Sequence, residues 1–130
     1  MAESKKSRVT GIGGIFFKSA DPRKLLAWYE KHLGIVPEGD WGAAFKWREF
    51  DDAERTGCTI WSPMSKTTTY FDPSSEPYMI NYRVADLRRL IEQLRGEGVD
   101  VTDAEQHPQG LFAWATDPEG RRIELWQPPD

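Results

Sequence analysis

The sequence predicts an α+β fold: two tandem βαβββ modules forming a curved mixed sheet around a central cavity. Three observations carry that expectation. The chain has 130 residues, the length of one ordinary domain. Short segments recur at a constant offset of 65 residues: Asp21 with Asp86, Asp52 and Glu54 with Asp117 and Glu119, and Ile60-Trp61-Ser62-Pro63 with Leu125-Trp126-Gln127-Pro128. Each half also opens with an apolar run, an Asp and a helical pattern. A repeat that keeps register across a whole half implies one structural unit used twice.

The elements follow in order. Residues 1–10 read as a flexible, polar N-terminal segment, and 11–63 as the first module. Gly14 to Phe17 is a short apolar run that ends in a polar turn. Asp21 is a good N-cap, Pro22 sits where a helix tolerates proline, Leu25, Leu26, Tyr29 and Leu33 make one stripe, and Gly34 is a stop. Strands are expected near Ile35–Val36, at Ala44–Phe50 and at Cys58–Ser62. A linker rich in Ser, Thr and Pro, residues 64–76, leads to the second module, 77–130. There Met79 to Val84 repeats the opening strand, and Asp86 caps a helix. Its stripe is Leu87, Leu90, Ile91 and Leu94, with Gly98 as stop. Strands are expected at Val99–Thr102, Leu111–Thr116 and Arg122–Gln127. One such unit has a single helix for its sheet and leaves the other face bare. Two units together can enclose a hollow, lined by the residues that alternate with the helix-facing ones.

Composition narrows the function classes. Lys+Arg 17 against Asp+Glu 21 gives a net charge of −4, with no basic block beyond Lys5-Lys6, so nucleic acid is not an expected partner. Apolar residues at 38% provide for a buried core. The one cysteine, Cys58, excludes an internal disulfide, a CxxC pair and a cysteine zinc site, and fits a reducing cytoplasm. No secretory h-region and no membrane-length apolar stretch is present, so no membrane partner is expected. Six tryptophans must fill a core, line a cavity or form an interface.

The tandem βαβββ plan, the Asp-capped helix after the first strand, and the ending Asp117-Pro118-Glu119-Gly120 with Ile123-Glu124-Leu125 resemble the vicinal oxygen chelate superfamily. That group includes glyoxalase I, bleomycin-resistance proteins, fosfomycin-resistance enzymes and extradiol dioxygenases. The resemblance spans about Gly11 to Pro128. It implies a divalent metal held by up to four side chains, whose places fall on Gly14, Thr59, Met79 and Glu124. Only Glu124 is a normal ligand for such an ion. No metal or other cofactor is therefore expected, a divalent ion being disfavoured. His32, in the last turn of the first helix, reads as a surface residue, and His107 as a loop residue. Cys58 reads as a buried structural thiol.

If those four places face inward, alternation also brings Phe16, Lys18, Gly57, Trp61, Asn81, Arg83, Arg122 and Trp126 inward, while Ile15, Phe17, Ile80, Tyr82, Val84, Ile123 and Leu125 face the helices. Trp41, Trp47 and Trp114 would wall the same hollow, or else fill space or form an interface. The expected ligand-binding set is Phe16, Lys18, Trp61, Met79, Asn81, Arg83, Trp114, Arg122 and Trp126. Glu124 is the candidate catalytic residue: either a structural partner of Arg122 or Arg83, or, unpaired, a general base on an activated C–H. Lys18 and Arg83 are equivalent by the repeat, and if they converge they favour an anionic ligand.

Three functions compete. The leading one is metal-independent binding of a small aromatic or anionic molecule, as in the bleomycin-resistance branch. The second is a lyase, isomerase or dioxygenase that uses Glu124 as base or residual metal ligand. The third is a protein-interaction module with a vestigial cavity, favoured if Trp61, Trp114 and Trp126 pack together. A homodimer is expected under all three.

Overall fold

The structure, a computed structural model, describes residues 8–129. Most of the expected N-terminal segment, residues 1–7, lies outside the described residues. Val9 and Thr10 already belong to the first strand. The order is β1 (Val9–Ser19), α1 (Pro22–Leu33), β2 (Ala43–Arg48), β3 (Thr56–Ser65), β4 (Tyr78–Val84), α2 (Leu87–Gly96), β5 (Glu105–His107), β6 (Gly110–Thr116) and β7 (Arg122–Gln127). The strands form one open mixed sheet in the order β2-β3-β1-β4-β7-β6-β5. The opening strands of the two modules, β1 and β4, are antiparallel neighbours at its centre. No helix among the described residues is long and apolar enough to cross a membrane.

The expected α+β architecture is present with seven strands instead of eight. Residues 35–36 form no strand. Gly34 takes the left-handed conformation (φ 70°), its N–H and that of Ile35 bond back to Glu30 and Tyr29, and Pro37 follows without an N–H. The segment is thus used up in ending α1. In the second module, Val101 makes an isolated bridge to Ala115, and the edge strand lies later, at β5. Both helices start as expected: Asp21 accepts from the Lys24 N–H and Asp86 from the Arg89 N–H, each at 3.2 Å. Helix α2 ends at Gly96 with Glu97 as its cap, and Gly98 (φ 82°) comes one residue later.

Pairing registers sort side chains between two faces. One row across the sheet runs Trp61–Ile15–Ile80–Ile123–Ala115. This face carries the helices. Trp61 meets Tyr29 of α1 with ring centroids 4.8 Å apart, and Ile123 packs beside the buried cluster of Val84, Leu87, Leu90, Ile91, Ala113 and Leu125. Burying each aliphatic side chain of α2 contributes about 1.5–3 kcal/mol. The next row, Ala44–Ile60–Gly14–Asn81–Glu124–Trp114, lies one residue on and so points to the opposite face.

Between the modules, Lys66 donates to the Ser19 carbonyl at 2.9 Å. Two turns, Asp72 to Thr69 at 3.0 Å and Ser74 to Phe71 at 2.9 Å, then fold the linker back over this second face. Phe71 is fully buried there with Phe16, Met79 and Trp114, and Ile60, Met64 and Phe112 pack around them. The hollow is therefore largely filled at this end by the linker itself.

Candidate functional site

Glu124 stands at the centre of this helix-free face and is 1% exposed. Strand pairing sets its neighbours: Asn81 of β4 on one side and Trp114 of β6 on the other. Asn81 Nδ2 donates to Oε1 at 2.5 Å, Trp114 Nε1 donates to Oε2 at 3.0 Å, and the Tyr70 hydroxyl donates to Oε2 from above. Three neutral donors thus take the place of a cation. Burial pushes the Glu124 carboxyl above its ordinary range, opposed by the hydrogen bonds from Tyr70, Asn81 and Trp114 and, least, by the charge of Arg122. Burial and the adjacent carboxylate likewise push the Tyr70 hydroxyl up.

Room for this group comes from the first module. Strand β1 carries an irregularity between Ile12 and Gly14. At Gly13, a Cβ would lie 2.2 Å from Asn81 Oδ1 and 2.8 Å from the Trp126 ring. A side chain there is incompatible with Asn81 as placed. Asn81 Oδ1 is buried and has no hydrogen-bond partner.

Tyr70 is 38% exposed and forms part of a 340 Å³ pocket with Glu105, His107, Gln109, Phe112 and Trp114. The pocket is walled by aromatic rings: Tyr70 meets Trp114 edge-on at 6.2 Å, and Phe112 lies nearly parallel to both Trp114 and Trp126 at 6.4 and 6.3 Å. His107 Nε2 is 3.1 Å from Glu105 Oε1 at its edge. His32 contacts the Trp28 ring on α1 instead.

Several site expectations need correction. Trp61 faces α1. Ile15 pairs with Trp61 as Ile80 pairs with Ile123, so the last strands correspond at 62 residues, whereas the sequence motif repeats at 65. The difference is odd, and an odd slip turns a side chain to the other face. Trp61, Trp114 and Trp126 therefore do not pack together. Neither arginine neutralises Glu124: Arg83 Nη1 bonds Glu49 at 2.7 Å and Thr10 Oγ1 at 2.8 Å, and the Arg122 guanidinium lies 5.4 Å from the Trp114 ring centre. Lys18 and Arg83 do not converge, because antiparallel pairing puts Phe17 opposite Tyr78 but Gly11 opposite Arg83, at opposite ends of the strands. Lys18 sits 5.8 Å from the Phe71 ring centre. Met79 and Phe16 lie on the site face but are buried under Phe71. Cys58 is only partly buried.

The divalent ion that the resemblance implies does not fit these residues. Gly14 has no donor atom, and Ile60, not Thr59, is in register with it. The Thr59 hydroxyl donates to the Ile12 carbonyl at 2.6 Å and accepts from Trp47 Nε1 at 2.9 Å. Met79 is packed among rings, and Glu124 is met by hydrogen-bond donors, where an ion needs further acceptors. Among the described residues no three His, Cys, Asp or Glu side chains are grouped to hold a metal.

Tyr70 is the candidate site residue that the sequence does not point to. It lies in a Ser/Thr/Pro-rich stretch with no strand or helix period, outside both repeats. The available signal was Tyr70-Phe71 itself, two adjacent large aromatics in an otherwise polar linker.

This arrangement is an α+β, glyoxalase-like fold, shared with solved epimerases and dioxygenases. The solved structures it is similar to include Streptomyces coelicolor methylmalonyl-CoA epimerase in complex with 2-nitronate-propionyl-CoA, at TM-score 0.67 and 17% identity over 95% of this chain and 100% of that one. Mycobacterium tuberculosis methylmalonyl-CoA epimerase matches at TM-score 0.60 and 20% identity, over 98% and 94%. The 2,2',3-trihydroxybiphenyl 1,2-dioxygenase of Sphingomonas wittichii strain RW1 matches at TM-score 0.58 and 18% identity, over 95% of this chain but 42% of that one. No family model matches the sequence, and no curated protein matches it significantly.

Proposed function

We propose that this protein binds a small aromatic molecule, without a metal, in the pocket between Tyr70, Phe112 and Trp114. The observation that carries the reading is the coupling of an aromatic-walled pocket of 340 Å³ to a buried carboxyl group through one partly exposed hydroxyl, Tyr70. The pocket is of the size small ligands use, with three aromatic walls and a polar edge of Glu105, His107 and Gln109. With Glu124 ionised, all three of its neighbours must donate to it. Tyr70 then keeps its hydrogen on Glu124 and offers an oxygen acceptor to the pocket. Aromatic ligands bearing a hydroxyl or amino donor are the best match. The test follows intrinsic tryptophan fluorescence and thermal stability against a panel that pairs phenols with their methyl ethers. Saturable binding of phenols, weakened in Tyr70→Phe, is expected. No response from any member, or an equal response in the variant, counts against the reading.

A second reading, proton transfer in an isomerase, is favoured by the upward-shifted Glu124 carboxyl and by the epimerases among the fold's neighbours. Because Glu124 is covered, the substrate C–H would give its proton to Tyr70 Oη while Tyr70 passes its own to Glu124 Oε2. This leaves a carbanion and a neutral carboxyl. Solvent deuterium incorporation into a bound C–H acid by the wild type, and none by Glu124→Gln, would establish it. Equal incorporation in both would end it.

A further inference from the structure

A second cavity, of about 590 Å³, lies where β2 and β3 meet Arg83 near the end of β4. Register explains its lining: Lys46 of β2 pairs with Cys58 of β3, and Arg83 of β4 pairs with Trp126 of β7. The Trp126 indole separates it from the Tyr70 pocket, because its ring faces Phe112 and its Nε1 is tied to the Gln109 carbonyl at 2.8 Å. Pro128 and Pro129 complete an apolar wall.

The charges here are unbalanced. Among the described residues two cations, Lys46 and Arg83, line the cavity and no carboxylate does; Glu49, bonded to Arg83, is shared with Arg55 at 3.6 Å. Arg83 is 9% exposed and fixed by Thr10, Glu49 and the Trp47 ring, 5.5 Å from its guanidinium carbon. A cation held rigidly beside an apolar wall is pre-organised for an anion. Burial raises the Cys58 thiol. Among the charges that reach it, Arg83 acts most strongly, Glu38 opposes and Lys46 reinforces Arg83, so the local field is positive.

We propose that this cavity binds a small organic carboxylate, with Lys46 and Arg83 meeting its charge and Trp126, Pro128 and Pro129 its apolar body. The site is independent of the Tyr70 pocket and of the function proposed for it.

Cys58 is the only cysteine in the chain and lines the cavity, so it reports the site directly. In alkylation the thiolate attacks the reagent's methylene, the S–C bond forms and iodide leaves, with the thiol proton going to solvent. Comparing iodoacetate with iodoacetamide cancels the thiolate fraction and leaves the effect of the reagent's charge. Relative to free cysteine, the iodoacetate-to-iodoacetamide rate ratio at Cys58 of the native full-length protein should rise by roughly fivefold or more. It should fall back in the surface variant Lys46→Glu. Benzoate should slow alkylation by iodoacetamide, and the neutral isostere benzamide should not. A ratio equal to that of free cysteine, equal protection by benzamide, or a thiol that neither reagent reaches would each overturn the proposal. Loss of phenol binding at Tyr70 would leave these outcomes unchanged, so the two readings fail separately.

Discussion

The two modules share a plan and differ in what they do with it. In the second, α2 buries Leu87, Leu90 and Ile91, and β4 and β7 place Asn81 and Glu124 side by side. In the first, α1 buries only Leu26 and leaves Trp28 half exposed, while the positions in the same row are Gly14 and Ile60. The second copy supplies the larger helix-side core and the polar group, and the first leaves room beside that group at Gly13 and Gly14. A duplicated fold can divide labour this way because register, not sequence similarity, decides which side chains meet.

The sharpest way to break that comparison is to truncate both helices. Leu87→Ala removes a fully buried side chain and should cost about 2–5 kcal/mol in denaturant unfolding. Trp28→Ala, on the solvent side of α1, should stay within about 0.5 kcal/mol. Equal costs would show that the halves are packed alike. Gly13→Ala tests the claim that the first half contributes room: its Cβ collides with Asn81 and Trp126, so a loss of about 1–3 kcal/mol is expected. It should be accompanied by a changed environment for Trp126 in fluorescence. A neutral result would mean that Asn81 has another place to go.

Smaller effects refine the account. Removing either helix cap, Asp21→Ala or Asp86→Ala, should cost about 1 kcal/mol, and the two should match, since this feature is the same in both halves. The pH dependence isolates Glu124. Its folded-state value is raised, so the folded protein holds this proton more tightly than the unfolded chain. The contribution of Glu124 to stability is therefore greatest below the unfolded value, about 4.3, and is lost as pH rises through the folded value. Thermal unfolding of Glu124→Gln should lack that portion of the decline. Parallel curves for the two proteins would contradict it.

Much of the fold is legible in the sequence because local signals and the repeat agree: Asp21 and Asp86 cap, Gly34 stops α1, and the Leu87–Leu90–Ile91 stripe is the core. Glu124 is legible as site-facing through the family resemblance, and Asn81 by alternation from Met79, which the same resemblance places inward. Trp61 is not, since a three-residue difference between the motif repeat and the strand register reverses its face without leaving a trace in the sequence. Ile35–Val36 reads as a strand by composition, yet its backbone is taken by the end of α1. Tyr70 depends on how a linker folds back over the sheet, which no local period encodes. The filling of the hollow by Phe71 has the same cause.

The buried Glu124 carboxyl is held by Tyr70, Asn81 and Trp114, with no cation among the described residues bonded to it. Carbon-13 NMR titration of the glutamate carboxyls, with Glu124 assigned by its loss in Glu124→Gln, tests this directly. The account predicts that Glu124 titrates above every exposed glutamate. A Glu124 that titrates at or below the ordinary range of about 4.3 would mean a neighbouring cation or free solvation, and would contradict it.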